Sequence, residues 1–161
     1  MNRRILIAAT VAVFGAATVF GVALGTTPSG VTPTAHASGR LDPVNLLVKT
    51  GDWKIQLRTK GESDVQVVEN LVIPGGTLGW HSHPGPSLVI VKSGTMTFYR
   101  ADDPTCTPLR KSAGEALIDP GNDVHLARNE GAIDVVVVIT RFLPAGASPR
   151  INEPAPDTCG F

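Results

Sequence analysis

From residue 53 onward the apolar positions fall in short runs: Trp53 to Arg58, Val65 to Ile73, Leu88 to Val91, Thr95 to Tyr99, Glu115 to Ile118, Val124 to Arg128 and Ile133 to Phe142. Each is too short or too β-branched to favour a helix, so each is predicted to be a strand. The separators carry turn chemistry: Pro74-Gly75-Gly76, Lys92-Ser93-Gly94 and Asp119-Pro120-Gly121-Asn122-Asp123 supply the backbone angles that tight turns need. The unbroken run Val135-Val136-Val137-Val138-Ile139 reads as a strand buried on both faces. Strands this numerous and closely spaced predict an all-β sandwich or barrel.

The first third of the chain reads differently. Asn2-Arg3-Arg4 is basic, Ile5 to Gly25 is almost uninterrupted apolar, and Ala35-His36-Ala37 offers a small-x-small cleavage pattern. The expectation is a secretory signal peptide over residues 1–37 and a mature chain starting near Ser38. Residues 5–25 are also long enough to cross a bilayer, so an uncleaved N-terminal membrane anchor is the competing reading. Either one places the body outside the cytoplasm. Residues 26–40, rich in Thr, Ser, Gly and Pro, predict no fold. The expected organisation is therefore a flexible lead-in at 38–52, a barrel at 53–143 and a tail at 144–161.

Composition fits a packed domain, with 42% hydrophobic and 17% charged residues. The 14 Lys and Arg balance the 14 Asp and Glu, and no basic block alternates with aromatics, which excludes nucleic acid as an expected partner. The two cysteines, Cys106 and Cys159, are expected to pair in an exported protein. That link would contribute about 4 kcal/mol on the chain-entropy model and pin the tail to the body. The other reading of the pair, as thiolate metal ligands, lacks a Cys-x-x-Cys spacing.

Candidate chemistry concentrates in three histidines. His81 and His83 alternate on an extended strand and project to one face, where they can chelate a single ion. His125 lies beyond a Pro-Gly-Asn turn, and a hairpin-rich barrel could bring it alongside. They are the histidines left once a signal containing His36 is removed. Three imidazoles suit Fe, Zn, Cu or Ni and leave positions for substrate or dioxygen.

The glycine and proline offsets around these residues resemble the cupin family. Gly75, five residues, His81-Ser82-His83 and then Gly94 resemble its first motif; Gly114, five residues, Pro120, His125 and Asn129 resemble its second. The resemblance implies a single cupin barrel, a double-stranded β-helix or jelly roll, with a metal held by His81, His83 and His125. Iron is the leading metal, with Mn, Zn, Ni or Cu as alternatives. It implies a mononuclear dioxygenase or related oxidoreductase acting on a small organic substrate. A non-catalytic module binding metal or a small ligand, and a germin-like manganese oxidase or superoxide dismutase, are the alternatives. Cupin relatives often dimerise, so a homodimer through an edge strand is the oligomeric expectation; membrane contact is expected only from an uncleaved N-terminus.

Two positions depart from the family. Ser87 stands where a carboxylate ligand is usual, which predicts a site of three neutral imidazoles with the ion's charge uncompensated and a preference for an anionic or chelating substrate. Asn122 stands where glycine is usual, an exchange that left-handed backbone angles tolerate. Ser87 and Asn129 share strand parity with the histidines and are assigned supporting roles: Ser87 to a metal-bound water, Asn129 to a hydrogen bond in the site or to ending its strand. Asp119 and Asp123 read as turn formers able to orient a histidine. Trp53, Phe98 and Tyr99 are expected in the core, and Trp80 in the core or at the pocket rim.

Overall fold

The β-branched run at 135–139 lies in a strand hydrogen-bonded along both edges, with Val135, Val137 and Ile139 buried and Val136 and Val138 half-buried. The structure, a computed structural model, describes residues 25–161. Its strands are β1 (Ser29–Leu41), β2 (Asn45–Thr50), β3 (Trp53–Arg58), β4 (Ser63–Thr77), β5 (His81–Ser82), β6 (Ser87–Ser93), β7 (Thr95–Arg100), β8 (Leu109–Ser112), β9 (Ala116–Asp119), β10 (His125–Arg128), β11 (Val135–Pro144) and β12 (Ile151–Asn152). No helix occurs among the described residues. Ten strands form one antiparallel sheet with the path β12-β5-β10-β4-β11-β6-β9; β1 adds to β4, and β8 is reached from β10 through β7. The sheet curls into an all-β jelly-roll barrel.

Strand parity builds the interior in layers. On β11, Val135, Val137 and Ile139 point inward, and Arg141 follows on the same parity. Register places Ile139 beside Val89 of β6, and Val89 beside Leu117 of β9. That apolar layer, with Met96, Leu78 and Val72, forms the main core. One step toward the mouth the same three strands carry Arg141, Ser87 and Asp119 side by side. The core thus ends at a polar layer.

Turn geometry fixes the mouth. Gly121 has φ +82° and approaches Gly85 so closely that a Cβ on Gly121 would lie 2.6 Å from the Gly85 carbonyl group. A Cβ on Gly85 would in turn collide with the Phe142 carbonyl oxygen. Asn122 adopts φ 59°, the left-handed angle its glycine-like position demands, and its N–H donates to the His83 carbonyl at 2.7 Å. The loop after β9 is thereby locked to the segment that carries His83.

The N-terminal reading needs correction. Residues 29–41 do not form a flexible lead-in: β1 pairs along β4 from Ser29↔Thr77 to Leu41↔Ser63. Thr26 joins the fold too, its hydroxyl accepting from the Trp80 N–H and its own N–H donating to the Glu153 carbonyl at 2.9 Å. The expected boundary at Ala37 falls inside this strand, and the basic and apolar segments at 2–24 lie outside the described residues. β1 escaped prediction because its pairing comes from the long partner β4, not from an apolar pattern of its own. The expected lead-in at 38–52 also holds β2, which pairs with β3 in a separate hairpin. Trp53 begins that hairpin and is 58% exposed, not core, because the hairpin pairs with no strand of the barrel.

The tail at 144–161 lies on the body. Cys106 and Cys159 form a disulfide that closes a sequence separation of 53 residues, so these sulfurs are not metal ligands. Cys159 packs with Trp80, Tyr99 and Leu126 in a second apolar cluster. Phe161 stacks near Trp80 and lies beneath the Arg128 guanidinium, 4.7 Å from its ring centre. β12 pairs with β5, setting Asn152 beside His81.

Candidate metal centre

The three histidines meet because β5 and β10 are paired with His81 opposite His125. His83 follows on the segment leading into β6. Ring centres lie 4.3 Å apart for His81 and His125, 4.8 Å for His81 and His83, and 5.3 Å for His83 and His125. His81 and His83 are buried. The three can hold one metal ion.

Each ring is held by its outer nitrogen. His81 Nδ1 meets the Gly79 carbonyl at 2.8 Å, His83 Nδ1 the Pro149 carbonyl at 2.6 Å, and His125 Nδ1 the Asp123 carbonyl at 3.2 Å. A carbonyl only accepts, so in every case Nδ1 donates its hydrogen. Neutral imidazoles so fixed carry a free lone pair on Nε2. Burial, reinforced by the neighbouring His125 and Arg150, lowers the pKa of His81 to about 2. Burial also lowers His83, to about 4, with the Pro149 hydrogen bond opposing and Arg141 assisting. At neutral pH both rings are ready ligands.

The carboxylate that the sequence appeared to lack is present. Asp119 Oδ2 lies 3.5 Å from His83 Nε2 and 3.6 Å from His125 Nε2. The His83 contact is no ion pair at neutral pH, because burial keeps that ring uncharged. Oδ2 is buried without a hydrogen-bond partner, while Oδ1 accepts from the Gly121 N–H at 3.0 Å. Donors each about 2.1 Å from a common ion sit roughly 3–3.5 Å apart, so these separations suit a shared metal. Buried oxygen atoms normally find partners, and this one faces the histidine nitrogens. The expected trio of imidazoles stands as a group that could hold an ion, and Asp119 adds a buried carboxylate oxygen beside two of its rings. Sequence reading gave Asp119 only as a turn former able to orient a histidine, because it follows no ligand spacing: it enters through cross-strand register with Ser87, the position where the family usually has a carboxylate.

Ser87 is 1% exposed, lines the cavity, and its hydroxyl has no hydrogen-bond partner. Asn129 is elsewhere. Its side-chain amide donates to the Val72 and Ile133 carbonyls and its Oδ1 accepts from the Gly131 N–H, so it anchors the turn after β10 and does not support the histidines. Asp123 pairs loosely with Arg100 at 3.8 Å, and burial beside the Asp119 carboxyl raises its pKa. Tyr99 is buried, donating its hydroxyl to Glu130 at 2.7 Å, and Phe98 lines the cavity wall. The cavity encloses about 100 Å³. One water needs roughly 10–15 Å³ on this scale, so a small organic molecule fits.

A family model described as a cupin domain matches residues 70–140, a stretch that contains all three histidines and Asp119. No curated protein is a significant match. Among solved structures the chain is similar to a cupin superfamily protein from Desulfitobacterium hafniense DCB-2, at 13% identity over 74% of this chain and 84% of that one, with a TM-score of 0.49. It is similar to a cupin-like protein from Thermotoga maritima MSB8 at 24% identity, covering 56% and 65% of the two chains, TM-score 0.48. A cupin domain from Bordetella pertussis Tohama I matches at 19% identity over 73% and 98%, TM-score 0.48.

Proposed function

The chain carries a cupin domain, and from that premise we propose that it is an exported mononuclear metalloenzyme, a dioxygenase or related oxidoreductase acting on a small organic molecule. His81, His83, His125 and Asp119 are the ligands in this reading. The observation that supports it is the pairing of two facts: every imidazole is fixed through Nδ1 by a carbonyl, and the Asp119 oxygen facing the Nε2 atoms has no partner.

A divalent iron bound there would supply Lewis-acid binding of a chelating substrate and one-electron chemistry toward dioxygen. The chain's own part is to orient the donors, to exclude bulk water with the apolar layer beneath, and to admit a molecule through the mouth. An extracytoplasmic setting agrees with the disulfide and with the apolar N-terminal run. Asp119 also favours a second reading, germin-like manganese chemistry, since a carboxylate is a ligand manganese prefers.

Metal analysis of protein purified without added metal or chelator tests the proposal. The expected result is near one iron per chain, lost in His81→Ala, with oxygen uptake on a panel of small chelating substrates. One manganese per chain with superoxide turnover would select the second reading. A folded wild type that holds no metal would leave a ligand-binding module in place of an enzyme.

A further inference from the structure

Across the mouth, three adjacent strands place Arg141, Ser87 and Asp119 in one register row, Arg141↔Ser87 on β11 and β6 and Ser87↔Asp119 on β6 and β9. All three line the cavity that the histidines face. Each carries a buried polar atom without a hydrogen-bond partner: Arg141 Nε, Ser87 Oγ and Asp119 Oδ2. Asp119 is accounted for by the metal. The other two are not.

Arg141 is the unusual member. It continues the inward parity of Val135, Val137 and Ile139 and is followed by buried Leu143, so a guanidinium interrupts an otherwise apolar row. The nearby Arg150 is already engaged, donating to the Leu78 carbonyl at 2.6 Å and to Asn152 Oδ1 at 2.7 Å. A buried guanidinium N–H left bare is costly unless a ligand satisfies it. Charge points the same way: Arg141 sets a guanidinium on the wall of a largely apolar cavity, and an anionic ligand would offset it.

We infer that Arg141 and Ser87 form a carboxylate-binding subsite beside the metal centre, and that the ligand of this cavity is a small organic carboxylate with an apolar body. The carboxylate accepts from Arg141 Nε–H and Ser87 Oγ–H, and the body rests on the Ile139, Val89 and Leu117 layer. Neutral molecules of the same shape leave the guanidinium unpaired and bind weakly. This deepens the metalloenzyme reading by naming its substrate class, and rests on that reading for the chemistry alone.

The test is calorimetric titration of butanoate and 2-oxobutanoate, against butanamide, into zinc-loaded and metal-free protein. Zinc is redox-inert, so binding is read without turnover. The expected result is that both carboxylates bind and the amide binds about 10- to 100-fold more weakly. Arg141→Gln should erase that preference while zinc binding is unchanged, and Arg141→Lys should recover part of it, since an ammonium lacks the guanidinium fork. Ser87→Ala should weaken carboxylates alone. Equal carboxylate affinity in wild type and Arg141→Gln, or no preference over the amide, overturns the subsite and leaves the metal centre standing. If the wild type takes up no zinc, the metal centre fails, and the same contrast in metal-free protein still decides the subsite. Should Arg141→Gln not fold, Ser87→Ala and the amide contrast decide it.

Discussion

The two walls of the cavity are finished to different degrees. On the histidine wall every ring is tied to a backbone carbonyl, and Ser82 beside them donates to Glu153 Oε1 at 2.7 Å. On the facing row, Arg141, Ser87 and Asp119 each keep a buried polar atom unused. A protein spends hydrogen bonds where geometry must be fixed in advance and withholds them where a ligand will provide them. The contrast separates the wall that organises donors from the wall that waits for an occupant.

The largest break in this contrast comes from removing a ligand. His83→Ala should weaken metal binding by about 3–4 kcal/mol, a quarter of the free energy typical of a four-ligand site, with the fold retained; competition against a chromophoric chelator measures it. Acid should act next. His83 has a folded-state pKa depressed from 6.5 to about 4. A depressed pKa means the unfolded chain takes up the proton first, so the stability this ring contributes is present above pH 6.5 and lost as pH falls toward 4. His81, depressed to about 2, acts in the same direction, so the metal-free protein should lose about 5 kcal/mol between pH 7 and 4.5, read by urea unfolding, and His83→Gln should remove about half of that slope.

Asp119→Asn should weaken metal binding by about 10- to 100-fold yet raise the metal-free protein's stability by about 1 kcal/mol, because it replaces a buried carboxylate whose Oδ2 has no hydrogen-bond partner. Opposite signs in the two assays mark a group positioned for a ligand. The smallest effect compares two serines in thermal unfolding. Ser82→Ala should cost about 1 kcal/mol and Ser87→Ala less than about 0.5 kcal/mol, since only the first loses a bond made within the protein.

Strands such as β6, β7 and β11 were legible because their side chains alternate or are β-branched between turn residues, signals carried by neighbouring positions. His81 and His83 were legible for the same local reason. Asp119 was legible only as a turn former able to orient a histidine, since its place beside the histidine nitrogens depends on which strand lies next to Ser87, a fact about pairing that no spacing along the chain records. β1 was hidden likewise: Thr, Ser, Gly and Pro can line a sheet edge when a 15-residue partner offers its hydrogen bonds. Trp53 misled in the other direction, as an aromatic residue on a hairpin that stands apart from the barrel.

The carbonyl that orients His83 belongs to Pro149, and the strand that flanks His81 begins at Ile151. His81 and His125 are held by carbonyls two residues before them, so His83 is the ring that depends on the tail for its orientation. One covalent link, Cys106–Cys159, thus fastens the same tail that aims a ring inside the cavity.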